Sequence, residues 1–326
     1  MTRFYLGIDI SKATFDAWLI GGQEPQGGKF SNDAKGFGKL GRWLKKRTAG
    51  EAHACMEATG RYWEELALFL TDEGYAVSVV NPKLIKRHAE AVMQRNKTDK
   101  QDARTIADYC LKQQPDLWEP PSPAYRQLKE MARHLKALKD DRQRERNRLK
   151  SGLTVPDVRA AIEKHIAFLE EQIDDLEQQI ADHIDQHPQL KADKALLESI
   201  PGVGAVVAAT FLAEIPDVSL FAQADQVAAF AGLTPSEHHS GSSIHKPGKL
   251  LKWGNRHLRA VLYMPALTAH LWNPIIANLK QRLEERGKSK MTVIVACMRK
   301  LLHLCYGVLK TRKPFDPNHV FNVQSA

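Results

Sequence analysis

The sequence predicts an α/β N-terminal domain, a charged helical insertion with coiled-coil spacing, and a mainly α C-terminal domain. Three observations predict this order. Short apolar, β-rich runs alternate with helical patterns over residues 1–120. Dense charge with apolar residues every third or fourth position fills 121–194. Ala-, Val- and Leu-rich helical segments fill 195–326. A chain of 326 residues is long enough for more than one core. Its 43% hydrophobic and 26% charged content excludes disordered and fibrous classes.

In chain order, Phe4 to Ile10 reads as a first strand ending in an acid, and Thr14 to Ile20 as a second, broken by Gly21-Gly22. A third strand falls at Gly28 to Ser31. Gly36 to Lys46 reads as a helix, with Phe37, Leu40, Trp43 and Leu44 on one face. Ala52 to Met56 is a fourth strand, Gly60-Arg61 opens a second helix, and Tyr75 to Val80 is a fifth strand stopped by Asn81-Pro82. Helices follow to Lys112. Three early strands followed by alternating helix and strand fit a mixed sheet covered by helices. Ribonuclease H-like and actin-like ATPase folds both begin this way. Pro120, Pro121 and Pro123 mark a linker. Tyr125 to Lys150 then carries ten Lys/Arg against four acids, and Val158 to Lys194 is acidic. Opposite charges on two helical arms fit a hairpin whose arms face each other. Two loops interrupt the C-terminal part, at Ile200 to Gly204 and at Leu233 to Trp253. Trp253, His257 and Trp272 read as packing residues.

The formal charge of +9 points to a polyanionic partner. No uninterrupted apolar run reaches the roughly 18 residues of a membrane span. Met1 to Asp9 turns acidic too early for a secretory signal. Cys55, Cys110, Cys297 and Cys305 form no C-x-x-C pair, so they read as reduced thiols of a cytoplasmic protein.

Four acids in the first domain suggest chemistry. Asp9 and Glu57 each end an apolar strand. Asp99 and Asp102 follow Thr98, which with Gln101 makes a capping box, so both fall on one face of a helix's first turn. Taken singly, each reads as a turn former or a favourable charge at a helix N-terminus. Taken together they are oxygen ligands suited to Mg²⁺ in phosphodiester chemistry. Ser236 to Ser243 (S-E-H-H-S-G-S-S) reads as a polar loop beside Lys246, Lys249, Lys252, Arg256 and Arg259. These cations suit contact with a nucleic-acid backbone. Gly202 and Gly204 lie in I-P-G-V-G between apolar helices, as either a phosphate-holding hairpin or a tight helix–helix turn.

The motifs G-I-D-I-S-K (Gly7 to Lys12), M-E-A-T-G (Met56 to Gly60) and N-K-T-D-K-Q-D-A (Asn96 to Ala103) occur in the first domain. I-P-G-V-G (Ile200 to Gly204), F-A-G-L-T-P (Phe230 to Pro235) and Ser240-Gly241 follow. In order and spacing the chain resembles the DEDD transposases of bacterial insertion sequences, which include Piv-type DNA invertases and bridge-RNA-guided recombinases. The resemblance implies a RuvC-like domain over 1–120, a coiled-coil region over 121–194, and a transposase domain over 195–326. It implies that Asp9, Glu57, Asp99 and Asp102 bind Mg²⁺, with Mn²⁺ as the alternative ion. Ser240 matches the family's nucleophilic serine, with Ser236, Ser242 and Ser243 as near neighbours. The implied partners are donor and target DNA, a noncoding guide RNA and further copies of the chain, as dimer or tetramer. The implied location is the bacterial cytoplasm, at the nucleoid when DNA is bound.

Three other readings use the same residues. A metal-dependent nuclease or junction resolvase would use the acids with water and leave Ser240 idle. A sugar kinase also opens with G-I-D-I-S, but no D-x-G-[GT] partner follows. A non-enzymatic nucleic-acid binder would use the acids structurally.

Overall fold

The computed structural model describes residues 4–21, 25–48, 51–93, 98–152, 154–240, 244–250 and 254–318, without the side chains of 236–240 and 244–249. The chain forms two compact units, Met1–Pro120 and Pro121–Ala326.

The first unit is built on strands β1 (Tyr5–Ile10), β2 (Thr14–Ile20), β3 (Gln26–Ser31), β4 (His53–Glu57) and β5 (Ala76–Val80). Their order is β3-β2-β1-β4-β5; β1–β2 and β2–β3 are antiparallel, and β1–β4 and β4–β5 are parallel. This mixed sheet with helices fits a RuvC-like fold. Alternation along β1 sends Leu6 and Ile8 to one face, where they are fully buried with Phe37, Leu40 and Leu44 of α1 (Ala34–Thr48) and Leu66 and Leu70 of α2 (Glu64–Asp72). The other face packs Tyr5 and Cys55 against Ile85 of α3 (Pro82–Ala91) and Ile106 and Cys110 of α4 (Asp99–Gln113). The expected helix at Gly60-Arg61 begins later, at Glu64, after a turn over 60–63. At α4 the Thr98 hydroxyl accepts from the Gln101 N–H at 3.2 Å, as the cap spacing predicts.

The second unit starts with α5 (Pro123–Lys150) and α6 (Pro156–Gln186), each with proline in its first turn, where no N–H is needed. Basic α5 faces acidic α6 through Lys139–Glu177 and Arg146–Glu170. Leu128, Leu135, Ile173, Leu176, Ile180 and Ile184 of this pair share one core with the helices that follow. Those include α7 (Pro188–Glu198), α8 (Ala205–Glu214), α9 (Ala224–Phe230), α10 (Arg256–Val261), α11 (Tyr263–Thr268), α12 (Pro274–Glu285) and α13 (Lys290–Thr311). By length and composition α13 could cross a membrane, but it carries Arg299 and Lys300 and buries Leu301, Leu302, Leu304 and Cys305 in this core. All four cysteines are buried free thiols.

The segment expected as a loop at Leu233 to Trp253 is instead a two-stranded antiparallel ribbon, β6 (Pro235–Ser240) with β7 (Ile244–Leu250). A register shift falls between Ser236 and His238, opposite Pro247-Gly248. Proline has no N–H for the ladder, which accounts for the irregularity there. The packing role expected of Trp272 is also corrected: it is 64% exposed, in the turn before Asn273 caps α12. Trp253 lies outside the described residues, and His257 is half-buried.

Candidate active site: an acid row at one end of the sheet

Strand register explains why the acids meet. Asp9 pairs with Asp16 on β2, and Asp16 with Lys29 on β3. On the other side, Ile8 pairs with Met56, so Asp9 and Glu57 stand next to each other at the carboxyl ends of parallel strands. In open α/β sheets this end is where ligands bind. Paired residues share a face, so Lys29, Asp16, Asp9 and Glu57 form a row across the sheet. Helix α4 lies on this face. A Cβ at Gly7 would sit 2.1 Å from the Ala103 carbonyl oxygen and 2.2 Å from the Ala107 nitrogen. Glycine therefore lets the α4 backbone rest directly on β1, with Asp99 and Asp102 in the helix's first turn.

The electrostatics reflect this crowding. The Asp9 carboxyl is pushed up from 3.8 to about 6, first by burial and then by the charges of Asp102, Glu57, Asp99 and Asp16. Lys29 Nζ lies 3.3 Å from Asp16 and 3.9 Å from Asp99, bridging the sheet's edge strand and α4. The Thr59 hydroxyl donates to Glu57 Oε1 at 2.6 Å. Asn32 Nδ2 donates at 3.1 Å to both Ser11 O and Tyr62 O, tying the loop after Asp9 to the loop after Glu57. Among the described residues, no three His, Cys, Asp or Glu side chains form the ligand set of an ion. The donor chemistry still fits a hard divalent cation: all oxygen, negatively charged, and mutually repelling until a cation neutralises them.

Asp16, Lys29 and Asn32 escape the sequence reading. The signal for Asp16 is present, since Phe15, Ala17 and Leu19 are buried and alternate with Asp16 and Trp18. Alternation gives its face; only the register brings it to Asp9.

In the second unit, Ser240 ends β6, and Lys246 and Lys249 lie on β7; their side chains lie outside the described ones, and Lys252 lies outside the described residues. The base of the ribbon is held by close packing and hydrogen bonds. A Cβ at Gly254 would meet Phe230 O at 2.4 Å, and the Asn255 N–H donates to that same oxygen at 2.6 Å. Asn255 Oδ1 caps α10, and its Nδ2 donates to Glu214 Oε2 at 2.6 Å. Glu214 is buried and accepts two bonds from Arg133 of α5 at 2.8 and 2.9 Å. Burial works against its charge, but these partners hold its carboxyl below the usual range. Arg259 donates to Ala231 O at 3.0 Å, so it ties the ribbon base, while Arg256 is exposed. In the α7–α8 turn, a Cβ at Gly202 would meet Ala269 Cβ at 2.8 Å, so that glycine serves packing; Gly204 is exposed at the start of α8.

Comparison with known proteins places the chain in a family. A transposase family model of the DEDD class matches residues 6–155. The model of the transposase IS116/IS110/IS902 family matches 194–281. The pilin gene-inverting protein of Moraxella bovis is 36% identical over 319 residues, 97% of this chain and 98% of that protein. Its counterpart in Moraxella lacunata gives the same identity and coverage. The transposase for insertion sequence element IS1111A of Coxiella burnetii is 34% identical over 123 residues, 34% of each chain. The chain belongs to the IS116/IS110/IS902 family of transposases, enzymes that cut and rejoin DNA.

Proposed function

We propose that this transposase recombines DNA through a covalent phosphoserine at Ser240, with Asp9, Glu57, Asp99 and Asp102 holding Mg²⁺ or Mn²⁺. The observation that carries the reading is the acid row: strand register and the Gly7 contact bring four carboxylates to one end of the sheet. When bound, the ion supplies positive charge to polarise the scissile phosphate. Asp9 and Glu57 are fixed on strands, Thr59 orients Glu57, and α4 carries Asp99 and Asp102. The Ser240 hydroxyl loses its proton and forms an O–P bond; the scissile P–O bond breaks and the leaving strand departs as a hydroxyl. The reverse attack by a strand hydroxyl releases Ser240. Phosphodiester energy is kept, so no nucleotide cofactor is needed. Lys246, Lys249, Lys252 and Arg256 would hold the DNA backbone, with the α8 N-terminus at Gly204 as a further phosphate contact.

The resemblance alone supports a noncoding guide RNA pairing with donor and target DNA, and action at the nucleoid. An oligomer has apolar surface to bury in the second unit, where Met264, Leu271 and Trp272 are each more than 60% exposed.

The test is a denaturing gel of protein with Mg²⁺ and DNA spanning the element's junction, with and without its flanking noncoding RNA. A protein-linked DNA band that disappears in Ser240→Ala and Asp102→Ala supports the phosphoserine. Cleavage without an adduct, unchanged in Ser240→Ala, would leave a hydrolytic nuclease instead.

A further inference from the structure

Beside the acid row, toward the edge strand β3, the sheet carries a second cluster that this chemistry does not use. Trp18 pairs with Gly7 on β1 and with Gly27 on β3, so neither neighbour presents a side chain to its face. The ring leans over β3, where a Cβ at Gly27 would lie 2.8 Å from it. From α4, Lys100 Nζ lies 5.3 Å and the Arg104 guanidinium carbon 5.9 Å from the ring centroid, within cation–π range. Their spacing of four puts both on one face of the helix. Lys29 stands on the same sheet face, in register with Asp16.

Helix stability does not account for Lys100. Lys100 sits in the first turn of α4, where the helix dipole disfavours positive charge. Among the described residues, no ion pair joins Lys100 or Arg104 to a carboxylate, although Asp99 and Asp102 share that turn. Both cations are exposed and are held over an aromatic ring. Trp18 lies two residues from Asp16 along β2, a displacement of about 7 Å. An anionic polymer crossing the acid row would therefore reach Trp18 and its cations within a short step.

We propose that Trp18, Lys29, Lys100 and Arg104 form a phosphate seat for the DNA strand that enters the acid row. The inference rests on the reading of that row as the DNA-cutting site. The α4 cations take a phosphate next to the reacting one, and Lys29, paired with Asp16 at the β3 end of the acid row, adjoins both. Holding both heads over Trp18 beforehand lowers the ordering cost of binding.

Binding of a short fluorescein-labelled DNA single strand, followed by anisotropy across a salt series, tests the seat. The variants are Lys100→Gln with Arg104→Gln, Lys100→Gln alone, and a control, Lys39→Gln with Lys46→Gln. The control charges are exposed on α1, which covers the opposite sheet face. Each lost phosphate contact lowers the slope of log K against log salt by about 0.7. The double variant, which empties the one phosphate position, should lose about 0.7, the single variant less than that, and the control should keep the wild-type slope. Thermal unfolding checks that the variants fold; the sites are exposed, and Lys100→Gln is the milder change. Equal slopes in the α4 and control variants would overturn the seat. Loss confined to an RNA strand of the same sequence would overturn the DNA assignment. A wild type that binds no DNA would overturn the underlying reading, and the seat with it.

Discussion

Gly7→Ala puts a methyl group where the α4 backbone already lies. The new Cβ would be 2.1 Å from the Ala103 carbonyl oxygen, 2.2 Å from the Ala107 nitrogen and 2.8 Å from the Ala107 Cα. These are backbone atoms of a helix, so no rotamer change relieves the clash. Ordinary contact begins at 3.4 Å, and 3.4 minus 2.1 requires α4 to retreat by about 1.3 Å. Overpacking of this kind costs about 1–3 kcal/mol. The same retreat carries Asp99 and Asp102 away from Asp9 and Glu57, and a misplacement of about 1 Å can lower a rate about 100-fold. Urea unfolding should show the loss of stability. DNA cleavage, assayed where the variant is fully folded, should show the larger loss. Gly38→Ala is the matched control: it lies in α1 with only the Arg42 side chain near, at 3.8 Å, and should gain about 0.5–1 kcal/mol. Wild-type cleavage by a folded Gly7→Ala protein would refute the argument that close α4 packing sets the acid geometry.

Asn255→Ala removes both the cap of α10 and a donor to buried Glu214, and should destabilise the protein by about 1–2 kcal/mol in urea unfolding; an unchanged midpoint would contradict the network at the ribbon base. The pH dependence follows from Asp9, whose folded pKa of about 6 lies above the usual 3.8. Between these values the folded, metal-free state binds more protons than the unfolded state, so stability falls as pH rises from about 4 to about 6. Melting temperatures in EDTA should show that fall in the wild type and a flatter profile in Asp9→Asn; identical profiles would count against the crowding at Asp9.

Much of the first unit was legible because its signals are local. The apolar runs place β1, β2 and β5 within a residue or two, and the Thr98 cap marks the start of α4. The four acids were legible as motif residues. Asp16, Lys29 and Trp18 were not, because strand alternation gives a face but register is a long-range property. The ribbon at Pro235 to Leu250 was missed because Ser, His, Gly and Pro have little β propensity. The apolar stripe of α6 shows which face is buried but not against what. Ile180 and Ile184 share a core with Val207 and Phe211 of α8, as well as with α5.

The most direct test of the central claim is Mn²⁺ binding measured by electron paramagnetic resonance on the full chain. If the acid row holds the ion, Asp9→Asn and Asp102→Asn should each weaken binding roughly tenfold or more. Glu171→Gln, which removes an exposed acid from α6, should leave binding unchanged. Wild-type Mn²⁺ affinity in Asp9→Asn would contradict the account.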